Sequence, residues 1–212
     1  MTDKLKVALI TEWHPFDVVN FQELFRAYDD IDAYPQAWDI FAQDVSRDSY
    51  DALVFYNMSF PAPPEDDPRR RYLEGRFGNT GQGIVLLHHA ILSYETWPFW
   101  DAVSGTKDRR FTYHGEQELR CRVADNQHPI TRGLDDFTVV DESYAMAEPA
   151  EDNEVLLTTD HPRSLRAIAW TRTYRDSRVF CYQSGHDDTT WRNPSFRTML
   201  HRGIRWTAGR LH

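Results

Sequence analysis

The sequence has few cysteines. Only Cys121 and Cys181 occur among 212 residues, and they stand far apart and outside any CxxC spacing. This pattern argues against a disulfide framework and against a zinc knuckle built from paired cysteines. We therefore expect both cysteines to be reduced residues of a hydrophobic core.

Long apolar runs are also missing near the start of the chain. The apolar stretch there covers only residues 7–11 and is followed by the acidic Glu12. It is too short for a secretory signal peptide or for a membrane-spanning helix. We expect a cytoplasmic protein without a membrane partner.

Positively charged residues are also few compared with negatively charged ones. Lys and Arg number 24 against 33 Asp and Glu, which gives a net charge of −9. The arginine runs 69–71 and 109–110 are interrupted by acids, so a nucleic-acid partner is not expected. A small neutral or cationic ligand fits this balance better. Because no linker, repeat or low-complexity tract is visible, residues 1–212 are predicted to form a single domain.

Strand and helix patterns alternate in the first half of the chain. Three buried strands are predicted at 6–11, 50–56 and 84–88, with helices at 20–28 and 65–77. This order is typical of a parallel sheet with helices on both faces. Later segments alternate apolar and polar residues and predict an antiparallel extension. The later strands are predicted at 111–123, 137–141, 155–158, 167–171 and 178–183, and a last helix at 195–208.

Histidines stand at three predicted strand ends. They are His14, the pair His88-His89, and His186. Strand ends of an α/β sheet are where ligands bind, and imidazoles joined by a carboxylate suit a transition metal such as Zn²⁺ or Mn²⁺. Asp141 and Glu142 point to opposite faces of a strand, so we expect only Glu142 to reach the site. Each imidazole can alternatively act as a base or simply form hydrogen bonds in a wet loop.

The turn after the strand at 84–88 carries no nucleophile. The stretch GIVLLHHA contains neither Ser nor Cys, so acyl transfer through a covalent intermediate is disfavoured. Aromatic residues are plentiful at 14% of the chain, and several cluster near the same strand ends. Their faces can cover a sugar ring while polar side chains bond its hydroxyls. The residues predicted to bind substrate are Trp13, His89, Tyr94, Tyr144 and Asp187.

Several segments together resemble the trehalose-utilisation, or ThuA-like, family. In chain order they are GQGIVLLHHA, NQHPITRGL, FTVVDESY, RVFCYQSGHD and RTMLHRGIRWTAG. The resemblance implies a three-layer, flavodoxin-like α/β fold related to class I glutamine amidotransferases. In that superfamily the turn after this strand carries a catalytic Cys, and a later strand end carries His followed closely by Glu. Here the turn carries His88-His89, so glutaminase activity is not expected.

The resemblance implies a role in carbohydrate metabolism. We expect chemistry on a glucoside or keto-sugar, by hydrolysis, elimination or isomerisation, with His88, His186 and Glu142 as catalytic residues. His14, His88, His186 and Glu142 are the predicted ligands of a divalent metal, and His88 rather than His89 is expected to face the site. The rival interpretation is a non-catalytic protein that binds sugar or serves in assembly. The aromatic surplus also makes a homo-oligomer reasonable.

Overall fold

A computed structural model of the protein describes residues 4–212. The strands are β1 (Leu5–Glu12), β2 (Ile31–Ala37), β3 (Ala52–Asn57), β4 (Gly83–Leu87), β5 (Thr112–Val123), β6 (Phe137–Ala145), β7 (Glu154–Thr158), β8 (Ala167–Tyr174) and β9 (Ser177–Tyr182). The α-helices are α1 (Val18–Arg26), α2 (Trp38–Gln43), α3 (Pro68–Gly75), α4 (Pro98–Ser104), α5 (Asp188–Trp191) and α6 (Pro194–Thr207). Two 3₁₀ helices cover Arg47–Ser49 and His88–Leu92.

Within residues 4–212 the strands form one mixed sheet in the order β2-β1-β3-β4-β9-β8-β7-β5-β6. The pairings from β2 to β9 are parallel. Those from β9 to β6 are antiparallel. The predicted antiparallel extension is therefore as large as the parallel part, and the description of a mainly parallel sheet holds only for the half that contains β1, β3 and β4.

Two apolar clusters lie on opposite faces of the sheet. Alternate residues of the buried strands enter one cluster or the other, as Val54 and Leu53 of β3 do. Helices α1, α5 and α6 contribute to the first cluster, and α2, α3 and α4 contribute to the second. Burial of both strand faces explains why β3 and β4 read as continuous apolar runs.

The predicted strands all occur, but three elements of the first half are absent from the prediction. Strand β2 contains Pro35, which cannot donate to a ladder, and β2 lies at one edge of the sheet where that loss is tolerated. Helices α2 and α4 are short and aromatic, so their apolar spacing gives little helical signal.

Both cysteines are buried and unpaired, as expected from their spacing. None of the helices between residues 4 and 212 combines the length and apolar character that a membrane span requires.

Candidate functional site

The carboxyl ends of β1, β3, β4 and β9 meet at one edge of the parallel half. The chain leaves β1 through α1 to pair β2 on one side, and later returns as β3 on the other side. Such a reversal of strand order opens a crevice in which α/β proteins bind ligands. His14, His88 and His186 all follow strands that end at this crevice.

His88 occupies the turn directly after β4. Its backbone has φ +54°, a left-handed conformation that is uncommon for a residue with a side chain, and its ring is wholly buried. His88 Nδ1 lies 2.7 Å from the carbonyl oxygen of Gln183. A carbonyl oxygen only accepts, so Nδ1 carries the hydrogen. In the neutral ring, Nε2 therefore offers a lone pair, to which the Tyr144 hydroxyl donates at 2.7 Å.

Three potential ligand atoms converge beyond this ring. His186 Nδ1 lies 3.2 Å from His88 Nε2. Glu142 Oε1 lies 3.6 Å from His88 Nε2 and 3.8 Å from His186 Nδ1. Among the residues that the structure describes, these three form the group whose spacing suits a metal ion. We call them the histidine–glutamate centre.

The loop that carries His186 is held in place by buried hydrogen bonds. The Asp141 carboxylate accepts from the backbone N–H groups of Gly185 (2.7 Å) and His186 (3.0 Å). The Tyr56 hydroxyl donates to the carbonyl oxygens of the same two residues. The Trp191 indole N–H also donates to the Gly185 carbonyl at 2.8 Å. Together these contacts limit where the His186 ring can lie.

Burial and neighbouring groups together set the protonation of the two carboxyl groups at the site. Partial burial opposes ionisation of Glu142, but hydrogen bonding and charge attraction from His88 and charge attraction from His186, each in its protonated form, outweigh it and hold the pKa of Glu142 below its ordinary value. Complete burial raises the pKa of Asp141, although the backbone N–H groups around it favour the carboxylate. Glu142 is thus the ionised carboxylate that faces the imidazoles.

The other two histidines stand beside the histidine–glutamate centre. The His14 ring centroid is 6.1 Å from that of His186 and 4.3 Å from that of His89. Within residues 4–212 the group of converging ligand atoms does not include one from His14, and the role of His14 as a metal ligand stays a prediction. His89 is buried between His14 and Tyr56, and neither of its ring nitrogens has a hydrogen-bond partner among residues 4–212. This places His89 behind the site rather than at its surface. Burial lowers the pKa of both rings, so both are neutral at neutral pH.

The remaining predicted substrate contacts are spread around the crevice. Trp13 is 62% exposed, whereas Tyr94 is buried and its hydroxyl accepts from the Trp38 indole N–H at 2.7 Å. The Asp187 carboxylate accepts from the Thr189 backbone N–H and caps α5. Tyr144 is buried against His88, so it reaches the centre through its hydroxyl alone.

Sequence reasoning missed the residues that hold the site together. Tyr56 lies inside the apolar strand β3 and Gln183 directly follows the apolar strand β9, and no local pattern separates them from core residues. Gln183 acts through its backbone carbonyl, which no side-chain motif can reveal. Asp141 was detectable as the buried partner of Glu142, because adjacent strand residues face opposite sides.

The fold defines an α/β protein whose described residues form one mixed sheet, and solved structures of low sequence identity share this fold. A putative GMP synthase protein from Thermoplasma acidophilum superposes with TM-score 0.61 at 12% identity, covering 99% of this chain and 96% of that one. Closer in shape is a putative ThuA-like protein from Parabacteroides merdae, with TM-score 0.79, 21% identity and coverage of 99% and 92%. A ThuA-like protein from Bacteroides uniformis gives TM-score 0.74, 19% identity and coverage of 98% and 93%.

The sequence places the chain in one family of this class. The ThuA family model, described as trehalose utilisation, matches residues 18–207. The chain therefore belongs to the ThuA family, as its motifs indicate. No curated protein matches the sequence.

Proposed function

We propose that the protein is an enzyme of carbohydrate metabolism that acts on a glucoside or keto-sugar by acid/base chemistry assisted by a divalent metal. The observation that carries the proposal is the convergence of His88 Nε2, His186 Nδ1 and Glu142 Oε1 at 3.2 to 3.8 Å from one another. Membership of a trehalose-utilisation family supports the substrate class. A non-catalytic sugar-binding protein is the alternative that the experiments below separate.

The spacing of the donors suits a zinc-like ion. Atoms bound about 2.0–2.1 Å from Zn²⁺ at tetrahedral angles lie about 3.3 Å apart, close to the separations in the histidine–glutamate centre. The bond from His88 Nδ1–H to the Gln183 carbonyl supplies the outer contact that orients a ligating histidine. His88, His186 and Glu142 would therefore hold the ion, and a fourth position would remain for substrate.

If His88, His186 and Glu142 hold the ion, the proton transfers fall to polar groups of the site that do not bind it. When bound, a divalent ion would act as a Lewis acid toward the carbonyl of a keto-sugar. His14 stays outside the ligand group and is neutral, so its imidazole can accept the proton α to that carbonyl. The electron pair of the C–H bond forms a C=C bond while the carbonyl π pair moves to the oxygen. In an isomerisation, His14 returns the proton to the former carbonyl carbon, and the proton of the neighbouring hydroxyl passes to the first oxygen as the new carbonyl forms. In an elimination, the oxygen pair re-forms the carbonyl, the C=C pair moves to the β carbon, and the alkoxy group leaves with the proton that His14 holds.

Metal analysis tests the ligand set. Protein prepared without a His-tag should bind about one Zn²⁺ or Mn²⁺, and His186→Ala and Glu142→Gln should lose it. His201→Ala is the matched control, because His201 lies on α6 away from the centre, where it pairs with Asp30, and this variant should keep the metal. Absence of metal from the wild type, with no thermal stabilisation on adding Zn²⁺ or Mn²⁺, would contradict the metal part of the proposal.

Hydrogen exchange in D₂O tests the chemistry. A panel of glucosides and 3-keto-glucosides should show C–H exchange or product with the wild type. The variant His14→Gln should retain the metal and lose exchange by at least tenfold, whereas His186→Ala should lose both. Sugar binding without exchange or product across the panel would favour the non-catalytic alternative.

We also propose a cytoplasmic location. One structural neighbour, from Salmonella typhimurium, is described as a cytoplasmic protein and superposes with TM-score 0.70 at 12% identity, covering 96% of this chain and 99% of that one. Fractionation of cells that express the protein, followed by immunoblotting, would test this location.

A further inference from the structure

A cleft between α2 and α3 shares no residue with the histidine–glutamate centre. It has a volume of about 360 Å³ and is lined by Arg47, Arg71, Tyr72 and Arg76 together with uncharged residues. Within residues 4–212, therefore, no carboxylate side chain lines it. Its volume lies in the range of about 300–1,000 Å³ that is usual for small-molecule sites. We call it the arginine cleft.

The three consecutive arginines of α3 have different partners. Arg69 forms a two-point hydrogen-bonded pair with Asp67, and Arg70 Nε donates to Glu74 Oε1 at 2.9 Å. Arg71 forms no ion pair with any residue between 4 and 212. Nearby acids thus neutralise the first two arginines, whereas the third brings an unpaired positive charge to the arginine cleft.

Backbone carbonyl groups hold two of the guanidinium groups of the arginine cleft. Arg47 Nη1 donates to the carbonyl oxygens of Ala42 at 3.1 Å and Asp44 at 2.9 Å. Arg71 Nη1 donates to the carbonyl oxygen of Asp66. A guanidinium that is already held loses less conformational freedom when a ligand binds. Its remaining N–H groups are available to that ligand.

The carboxylates beside the arginine cleft are already engaged. The Asp48 carboxylate accepts from Arg76 Nε at 3.0 Å. The Asp44 carboxylate accepts from the backbone N–H of Ser46 at 2.8 Å and from its hydroxyl at 2.7 Å. Hydrogen bonds from Ser46 are the main cause that lowers the pKa of Asp44. These carboxylates therefore leave the other two guanidinium groups of the cleft free for an anion.

Two buried donors in the arginine cleft have no acceptor. Tyr72 is only 3% exposed, and its hydroxyl has no hydrogen-bond partner among residues 4–212. Arg47 Nε is likewise buried and unpartnered within the same range, and the Arg47 guanidinium lies 5.1 Å from the centroid of the Tyr72 ring. Buried donors without acceptors are costly, so they favour a ligand that brings acceptor oxygens.

We propose that the arginine cleft binds a phosphate group, either as inorganic phosphate or as the ester of a small molecule. Arg47 and Arg71 donate to its oxygens, because planar guanidinium groups match phosphate at two points. The Tyr72 hydroxyl donates to a further oxygen. A phosphate offers more acceptor oxygens and more negative charge than a carboxylate does, which suits several converging donors.

Calorimetric titration tests the site with inorganic phosphate and with glycerol 3-phosphate. Low ionic strength limits screening, and at about pH 8 the ester is a dianion. The wild type should bind one phosphate per chain, and Arg71→Gln should weaken binding by about tenfold or more. Arg70→Gln is the matched control, because it removes the same charge from the same helix at a residue paired with Glu74. It should weaken binding by less than about twofold.

The variant Tyr72→Phe separates a ligand contact from a structural role. It removes a buried hydroxyl that has no partner, so the Tm of the protein without phosphate should stay equal or rise. Phosphate binding should weaken by about threefold or more, because a donor is lost. A lower Tm with unchanged phosphate affinity would overturn the site.

A variant of the histidine–glutamate centre excludes phosphate binding at a metal there. His186→Ala should bind phosphate as the wild type does, and a loss of binding would overturn the arginine cleft as the site. Failure of the sugar chemistry would leave this result unchanged, because the two places share no residue.

The remaining outcomes are equally decisive. Absence of saturable binding of both compounds to the wild type would overturn the proposal, and so would equal weakening by Arg71→Gln and Arg70→Gln, which would report overall charge alone. Tighter binding of glycerol 3-phosphate identifies a phosphate ester as the ligand, and tighter binding of the free ion identifies inorganic phosphate. Circular dichroism of each variant checks that it is folded.

Discussion

At the scale of single residues, the orientation of the His88 ring decides which chemistry the site can support. The Gln183 carbonyl oxygen accepts a hydrogen bond from His88 Nδ1–H. The lone pair of His88 Nε2 therefore faces Glu142 and His186. The Tyr144 hydroxyl donates to that lone pair. A metal ion at the centre would need the same lone pair, so tyrosine hydroxyl and metal compete for one atom.

This competition predicts the behaviour of Tyr144→Phe. Without metal, the variant leaves His88 Nε2 buried and without the hydroxyl donor, and it should lose about 1 kcal/mol of unfolding free energy. With Zn²⁺ bound the lone pair is used by the metal, so the loss should shrink and zinc affinity should be equal or higher. Urea unfolding with and without Zn²⁺, together with zinc titration, measures both effects.

The control for this prediction is Tyr28→Phe. The Tyr28 hydroxyl donates to the Arg197 carbonyl at 3.0 Å, away from the centre. Its removal should cost a similar free energy that Zn²⁺ does not recover. Weaker zinc binding by Tyr144→Phe would contradict the competition and would mean that the hydroxyl supports the metal.

At the scale of secondary-structure elements, β6 contributes side chains to the site from both of its faces. Asp141 turns toward the loop after β9 and accepts its backbone N–H groups, while Glu142 turns toward His88 and His186. The period-two alternation of a strand makes this division of roles predictable once the strand is recognised. The identity of the loop that Asp141 holds depends on the order of strands in the sheet, which local sequence does not specify.

The loop before β6 gives a prediction about pH. The buried His128 accepts from the Ile130 backbone N–H through Nδ1 at 3.1 Å, which requires that nitrogen to be unprotonated. Burial is the main cause that holds the pKa of His128 below 6.5, its value in an unfolded chain. The unfolded state therefore binds more protons, and the stability contributed by neutral His128 is complete above 6.5 and is lost as pH falls through the lower folded-state pKa.

The variant His128→Asn isolates this contribution. Its Oδ1 can still accept from the Ile130 N–H, and it does not titrate. Its unfolding free energy should fall less than that of the wild type between about pH 7.5 and about pH 5. Urea unfolding across this range measures the difference. The contributions of the other histidines to the pH dependence cancel in the comparison, because both proteins share those residues. Parallel pH profiles would show that His128 protonation does not affect folding.

At the scale of the whole molecule, the sequence pattern predicted strands and helices better than it predicted which side chains lie close together in the site. Apolar runs and alternation located the strands of the sheet, whereas β2 escaped because Pro35 masks an edge strand. The convergence of His88, His186 and Glu142 was predicted from strand ends. His88 rather than His89 was expected to face the site, and His88 lies beside Glu142 and His186 while His89 lies against His14 and Tyr56. The left-handed turn at His88 (φ +54°) separates the two rings, and such turns depend on the packing around them rather than on residue type.

The packing of α6 on the sheet supplies a last prediction. A Cβ at Gly203 would overlap the ring of Phe180 on β9, so the helix lies directly on the strand beneath it. Replacing a helical glycine by alanine ordinarily stabilises by about 1 kcal/mol. In Gly203→Ala the overlap should outweigh that gain and destabilise the protein by about 1–3 kcal/mol. Gly75→Ala on α3 is the matched control, because the new Cβ would meet no atom within 4 Å. This variant should stabilise the protein by up to about 1 kcal/mol.

Chemical unfolding of both variants measures the two changes in unfolding free energy. Equal gains in stability would mean that Phe180 can move aside and that the helix and sheet are not packed as tightly as this contact requires.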